Sequence, residues 1–120
     1  MIIPVLRIFD ESVAKAFYVD FLGFKVNFEH RFDENFPLYI EILKDNLVIH
    51  LSEHHGDACP GAAIMLLIAD VRGFQEQLLS QQYKYSRPGV EETEWGTLEM
   101  AMTDPFGNRL TFFEHVTESD

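Results

Sequence analysis

The sequence predicts an α+β chain made of two βαβββ modules that form curved mixed sheets. Three observations predict it. The hydrophobic period changes in the same order twice: an apolar strand-like run, helical spacing, then three further strand-like segments. An aspartate opens each helical stretch, Asp10 and Asp70, sixty positions apart. Between the two runs lies a polar stretch over residues 53–61, containing His54, His55, Gly56 and Pro60. Pseudo-repeats over residues 1–55 and 60–117, within one domain of residues 1–120, account for all three. A ferredoxin-like sandwich would explain one half only.

Residues 2–9 are β-branched or apolar and read as the first strand. The Asp10 carboxylate can cap the free N–H groups of a first helical turn. Val13, Ala16, Phe17, Phe21 and Leu22 then supply a buried stripe, with Glu11 and Lys15 toward water. Gly23 stops the helix, because it tolerates the left-handed conformation. Residues 24–31 alternate as a strand, and residues 37–43 and 47–51 flank Lys44-Asp45-Asn46 as a hairpin. The second run repeats this order. Residues 62–69 form an apolar strand, and Val71, Phe74, Leu78 and Leu79 make the helix face behind Asp70. Residues 83–91 contain Pro88 and Gly89, which marks an edge or broken strand. Residues 96–103 and 109–114 close the chain around the turn Asp104-Pro105-Phe106-Gly107-Asn108.

Composition narrows the function. The chain has 120 residues, 47% of them hydrophobic and 24% charged, the balance of a folded globular protein. Nine basic residues against twenty acidic ones give a net charge of -11, which repels a phosphate backbone and argues against nucleic acid as a partner. One cysteine, Cys59, precludes an intrachain disulfide and fits a reducing, cytoplasmic setting. Neither a secretion signal nor a continuous apolar run of membrane-spanning length is expected from the sequence, so no membrane partner is. Nucleophile elbow, H-E-x-x-H, dinucleotide and Walker patterns do not occur.

Two motifs at opposite ends carry a resemblance. PVLRIFDESVAKAFYVDFLGF, from Pro4 to Phe24, resembles the opening of the vicinal oxygen chelate superfamily, which holds glyoxalase I, extradiol dioxygenases and bleomycin resistance proteins. DPFGNRLTFFE, from Asp104 to Glu114, is similar to its ending. Pro4 in the first strand and the pair Trp95-Gly96 ahead of the last turn look most like the bleomycin resistance branch. The resemblance implies a homodimer whose curved sheets close over grooves built from both subunits. Each groove would bind a large cationic glycopeptide antibiotic and withhold it from DNA, with no cofactor and no bond made or broken.

In the enzymes of that superfamily, a divalent metal takes one ligand from each of four strands. The resemblance puts those positions at Ile3, His50, Ile64 and Thr111. Isoleucine donates nothing, so no metal site is expected. An altered register could instead combine His50 with Glu41, Glu99 or Glu114. The candidate ligand-binding residues are Phe28, Asp33, Phe36, Tyr39, His50 and Trp95. Phe28, Phe36 and Trp95 match rings that stack on a flat heteroaromatic system. Phe32 belongs with this aromatic set by its place near a strand end. Asp33 would attract positive charge, and His50 would line the groove. The leading expectation is non-enzymatic sequestration of a bleomycin-like ligand. The alternatives are a metal-dependent enzyme of glyoxalase, thiol transferase or dioxygenase type, and a structural partner without any small ligand.

Overall fold

A computed structural model describes residues 1–31, 33–81 and 87–116. They form two compact units: residues 1–62 with 104–108, and residues 63–103 with 109–120, described here to 116. Phe32 and residues 83–86 of the predicted strand at residues 83–91 lie outside the described residues, and the described part of that strand begins only at Val90.

In the first unit, β1 (Val5–Arg7), β2 (Lys25–Arg31), β3 (Leu38–Lys44) and β4 (Leu47–Ser52) make a four-stranded mixed sheet in the order β1-β4-β3-β2. β1 runs parallel to β4, and the other pairs are antiparallel. The second unit repeats that order with β5 (Ala63–Leu67), β6 (Val90–Glu92), β7 (Thr97–Thr103) and β8 (Arg109–His115), as β5-β8-β7-β6. Both sheets are mixed, and the α+β class read from the sequence is the one observed.

Each sheet buries one face. In the first, Leu6, Ile40, Ile42, Ile49 and Leu51 are buried, together with Ala14, Phe17, Tyr18, Phe21 and Leu22 of the helical segment. Their burial removes apolar area worth about 1.5–3 kcal/mol for each large side chain. In the second, Leu98, Met100, Met102, Leu110 and Phe112 are buried with Val71, Phe74 and Leu78 of α2 (Val71–Ser80).

The first helical segment departs from the expected one. α1 covers only Glu11–Lys15, and the chain continues as a π-helix over Ala16–Phe21. Its wider turn sends the Leu22 N–H to the Phe17 carbonyl, five residues back, at 2.9 Å. The buried stripe is therefore Ala14, Phe17, Tyr18, Phe21 and Leu22, whereas Val13 is exposed. Gly23 ends the segment at φ 86°, as its freedom from a Cβ allows.

Tyr18 is the unforeseen core residue. Its hydroxyl donates to Asp104 Oδ2 at 2.5 Å, inside the first unit and 86 positions along the chain. Asp104 also accepts from the Phe106 and Asn108 N–H groups, both at 2.8 Å, and from Asn108 Nδ2 at 2.9 Å. The same Asn108 amide donates to the Arg7 carbonyl of β1 at 2.9 Å.

Both predicted caps form. The Asp10 and Asp70 side chains accept from the Val13 and Gly73 N–H groups, each at 3.0 Å. Alanine normally improves on glycine in a helix by about 1 kcal/mol. At Gly73, however, a Cβ would collide with the Asp70 carboxylate. Gly73→Ala is thus expected to gain nothing alone, and Asp70→Ala to lose about 1 kcal/mol. In thermal melts, Gly73→Ala should become favourable only in the Asp70→Ala background, a coupling that a double-mutant cycle isolates.

Candidate functional site

The helices cover one face of the first sheet and leave its other face, with Val5, Phe28, Tyr39, Glu41, Val48 and His50, at least partly accessible. Strand alternation places these residues together, because side chains two apart share a face. Val5, His50, Glu41 and Phe28 form one row across all four strands.

At its centre is a chain of three polar groups. The Tyr39 hydroxyl lies 2.6 Å from His50 Nδ1, and His50 Nε2 lies 2.7 Å from Glu41 Oε2. Asn27 Nδ2 donates to the other Glu41 oxygen at 2.8 Å, from the bulge in β2. Burial pushes the Tyr39 phenol above its ordinary value, and the charges of Asp57 and Glu41 add to that effect. The Glu41 carboxylate can only accept, so His50 directs its Nε2–H at it, and in the neutral ring Nδ1 then accepts from the Tyr39 hydroxyl. Edge contacts brace the imidazole, with Tyr39 at 5.1 Å and Phe28 at 5.9 Å between ring centres. The sequence points to Phe28, Tyr39 and His50 and offers Glu41 only as a register alternative. The signal for Glu41 was its place opposite His50 in the 39–52 hairpin, visible once the turn at Asp45 is fixed.

The hydrogen bond from His50, followed by that from Asn27, holds the Glu41 carboxyl below its ordinary 4.5. A depressed carboxylate stabilises the fold fully above the unfolded value, and that contribution is lost as pH falls through the folded value. Carboxyl ¹³C NMR should accordingly give Glu41 a midpoint below 4.5, rising in His50→Phe more than in Asn27→Ala. An unchanged midpoint in His50→Phe would rule out the hydrogen-bonded chain.

The remaining predicted residues sit elsewhere. Asp33 and Phe36 belong to the β2–β3 loop, where the Asp33 carbonyl accepts the Phe36 N–H at 2.9 Å and the Asp33 side chain accepts the Glu34 N–H at 2.7 Å. Phe36 is exposed and lines a cleft at the end of the sheet. Trp95 lies in the second unit, 75% exposed, in the turn that Thr93 and Thr97 close by mutual hydrogen bonds.

Metal chemistry finds a poor donor set. Ile64 faces Leu110 on the helix-covered side, and Met65 rather than Ile64 lies opposite Thr111. Glu114 turns to the helix, where it accepts the Val71 N–H at 3.0 Å, and Glu99 accepts from Thr97 at 2.8 Å. Among the described residues, no group of three or more His, Cys, Asp and Glu side chains is placed to hold an ion. The imidazole, hydroxyl and carboxylate positions named above thus fall short of the three or four convergent ligands that a catalytic zinc-type centre uses.

Comparison with known proteins places this geometry. The family described as "Glyoxalase superfamily protein" matches residues 1–119. No curated protein matches the chain. Among solved structures, a bleomycin-binding protein in complex with bleomycin is 24% identical, with a TM-score of 0.71, over 96% of this chain and 98% of that one. A bleomycin resistance determinant encoded on transposon Tn5 is 22% identical, with a TM-score of 0.72, over 96% and 97%. TnmS3, an antibiotic binding protein from a Streptomyces species, is 19% identical, with a TM-score of 0.70, over 94% and 93%. At these identities the likeness is one of fold. Two four-stranded mixed sheets of one strand order, together with a family match over nearly the whole sequence, make this chain a member of the glyoxalase superfamily.

Proposed function

We propose that the protein binds and sequesters a bulky, cationic aromatic ligand of the bleomycin type, without making or breaking a bond. The observation that carries this reading is the row on the open face, where the 43%-exposed Phe28 ring adjoins a carboxylate fixed by His50 and Asn27. Such a face offers a stacking surface and a preorganised negative charge to one ligand. The net charge of -11 favours the same ligand sign. The solved structures of like fold include a bleomycin-binding protein and an antibiotic binding protein, which supports the same choice.

The working form in this reading is a cytoplasmic homodimer. Met65 and Leu67, 60% and 55% exposed on one face of β5, supply apolar surface that a second copy would cover. Among the described residues, no helix is long and apolar enough to cross a membrane. Metal-dependent glyoxalase, thiol transferase or dioxygenase chemistry is the second reading, and the direct Glu41–His50 pair favours it.

The deciding experiment is titration of metal-analysed protein with metal-free bleomycin, followed by heat and Trp95 fluorescence, with the assembly sized by light scattering. Saturation at one or two ligands per dimer is the expected result. Failure to saturate, with stoichiometric divalent metal in the purified protein, would replace sequestration by the enzyme reading.

A further inference from the structure

The end of the first sheet holds a second feature of opposite charge. A cleft of about 270 Å³ opens where β1, β2 and β4 end, lined by Arg7, Phe9, Arg31, Asn35, Phe36 and Glu53 among others. Its two guanidinium groups are not equivalent. Arg31 is committed: its Nη2 reaches Glu11 at 2.5 Å and Glu53 at 3.8 Å, and its Nη1 donates to the Phe36 carbonyl at 2.9 Å. Arg7 has no carboxylate within 4.0 Å among the described residues. Its Nη1 donates to the His54 carbonyl at 2.9 Å, and its Nε makes only a 3.4 Å contact with the Ile8 carbonyl. That distance is at the weak limit for a hydrogen bond, and among the described residues Nη2 has no hydrogen-bond partner. The guanidinium lies 4.8 Å above the Phe9 ring, which is 54% exposed and backed by Phe106 at 6.1 Å.

We propose that this cleft is a separate site for a small planar aromatic acid, bound as its monoanion. The Nε and Nη2 edge of Arg7 offers two parallel donors to one carboxylate, the geometry in which arginine exceeds lysine. Phe9 and Phe36 supply exposed ring surface for the acid's own ring. The volume falls just below the ~300 Å³ at which pockets for drug-sized ligands begin, so the ligand is a one- or two-ring acid. The protein's overall negative charge does not forbid it. At physiological salt, charges beyond about 8 Å are largely screened, leaving the adjacent Arg7 dominant.

The test uses the full chain, with sodium benzoate and neutral benzamide as probes, and reads the Arg7 Nε–H and Phe36 amide signals by NMR. Benzoate is expected to shift both saturably, at least tenfold more tightly than benzamide. Arg7→Gln should remove the response, and Arg7→Lys should restore part of it. Equal affinity for the two probes, no saturable shift, or an undiminished shift in Arg7→Gln would overturn the proposal. Should Arg7→Gln fail to fold, the comparison of probes on the unaltered protein decides alone. Bleomycin binding without benzoate binding would sink only this proposal, and the reverse would sink only the sequestration reading.

Discussion

Asp104→Ala is expected to lower the stability of the protein by about 4 kcal/mol, a large part of the 5–15 kcal/mol that holds a typical domain together. The Asp104 side chain, 4% exposed, accepts from Tyr18, Phe106 and twice from Asn108. Truncation strands the Tyr18 hydroxyl in the core, at about 1–3 kcal/mol, and releases the turn that Asp104 organises. Tyr18→Phe removes the buried donor together with its bond and leaves Asp104 three partners, so its cost should be nearer 1 kcal/mol. Urea denaturation of both variants measures the difference. Equal midpoints would mean that the turn contributes nothing beyond the tyrosine contact.

The same pair predicts alkaline behaviour. Burial pushes the Tyr18 phenol far above its ordinary 10.0, and the neighbouring Asp104 charge pushes it further. For a group raised on folding, the stabilisation is complete below the unfolded value and declines as pH climbs toward the folded one. Stability should therefore fall above pH 10.0, and Tyr18→Phe should remove that share of the decline.

Trp95→Ala is expected to weaken bleomycin binding about 10- to 30-fold, equivalent to losing ~1.4–2 kcal/mol of stacking and burial. The ring is 75% exposed in the free chain, so its truncation should change folding stability by less than about 0.5 kcal/mol. Phe28→Ala, on the open face of the first sheet, should weaken binding by a similar factor, whereas Trp95→Phe should keep most of it. Calorimetric titration of the three variants checks this. Wild-type affinity in both alanine variants would remove the aromatic rings from the proposed site.

What was legible in the sequence follows from how local each cause is. Asp10 and Asp70 cap the helices within three residues of themselves, and Asp45 turns the β3–β4 hairpin in place. Their signals survive in a linear reading. The π-helix carried no such signal, and helical periodicity put Val13 in the stripe where Ala14 lies. Tyr18 escaped notice because its hydroxyl is satisfied by Asp104, which no local pattern connects to it. At the candidate site, Phe28, Tyr39 and His50 were legible as residue types on strands. Glu41 became part of their cluster only through cross-strand register, which a shift of one residue would reverse. Arg7 reads in the sequence simply as part of the first strand, because nothing in a strand pattern signals its guanidinium stacking on Phe9, two residues on.

The Asp104–Asn108 turn has a consequence for the order of events during synthesis. The first unit consists of residues 1–62 and 104–108, so its sequence is interrupted by most of the second. A ribosome adding about 5–20 residues per second takes roughly 4–17 s to travel from Tyr18 to Asp104. During that interval the nascent unit has its strands and helix but an unanswered phenol at its centre. Its completion is a late event, delayed until the C-terminal part of the chain has emerged. A fragment ending at Ala62 would be arrested at that same unfinished stage.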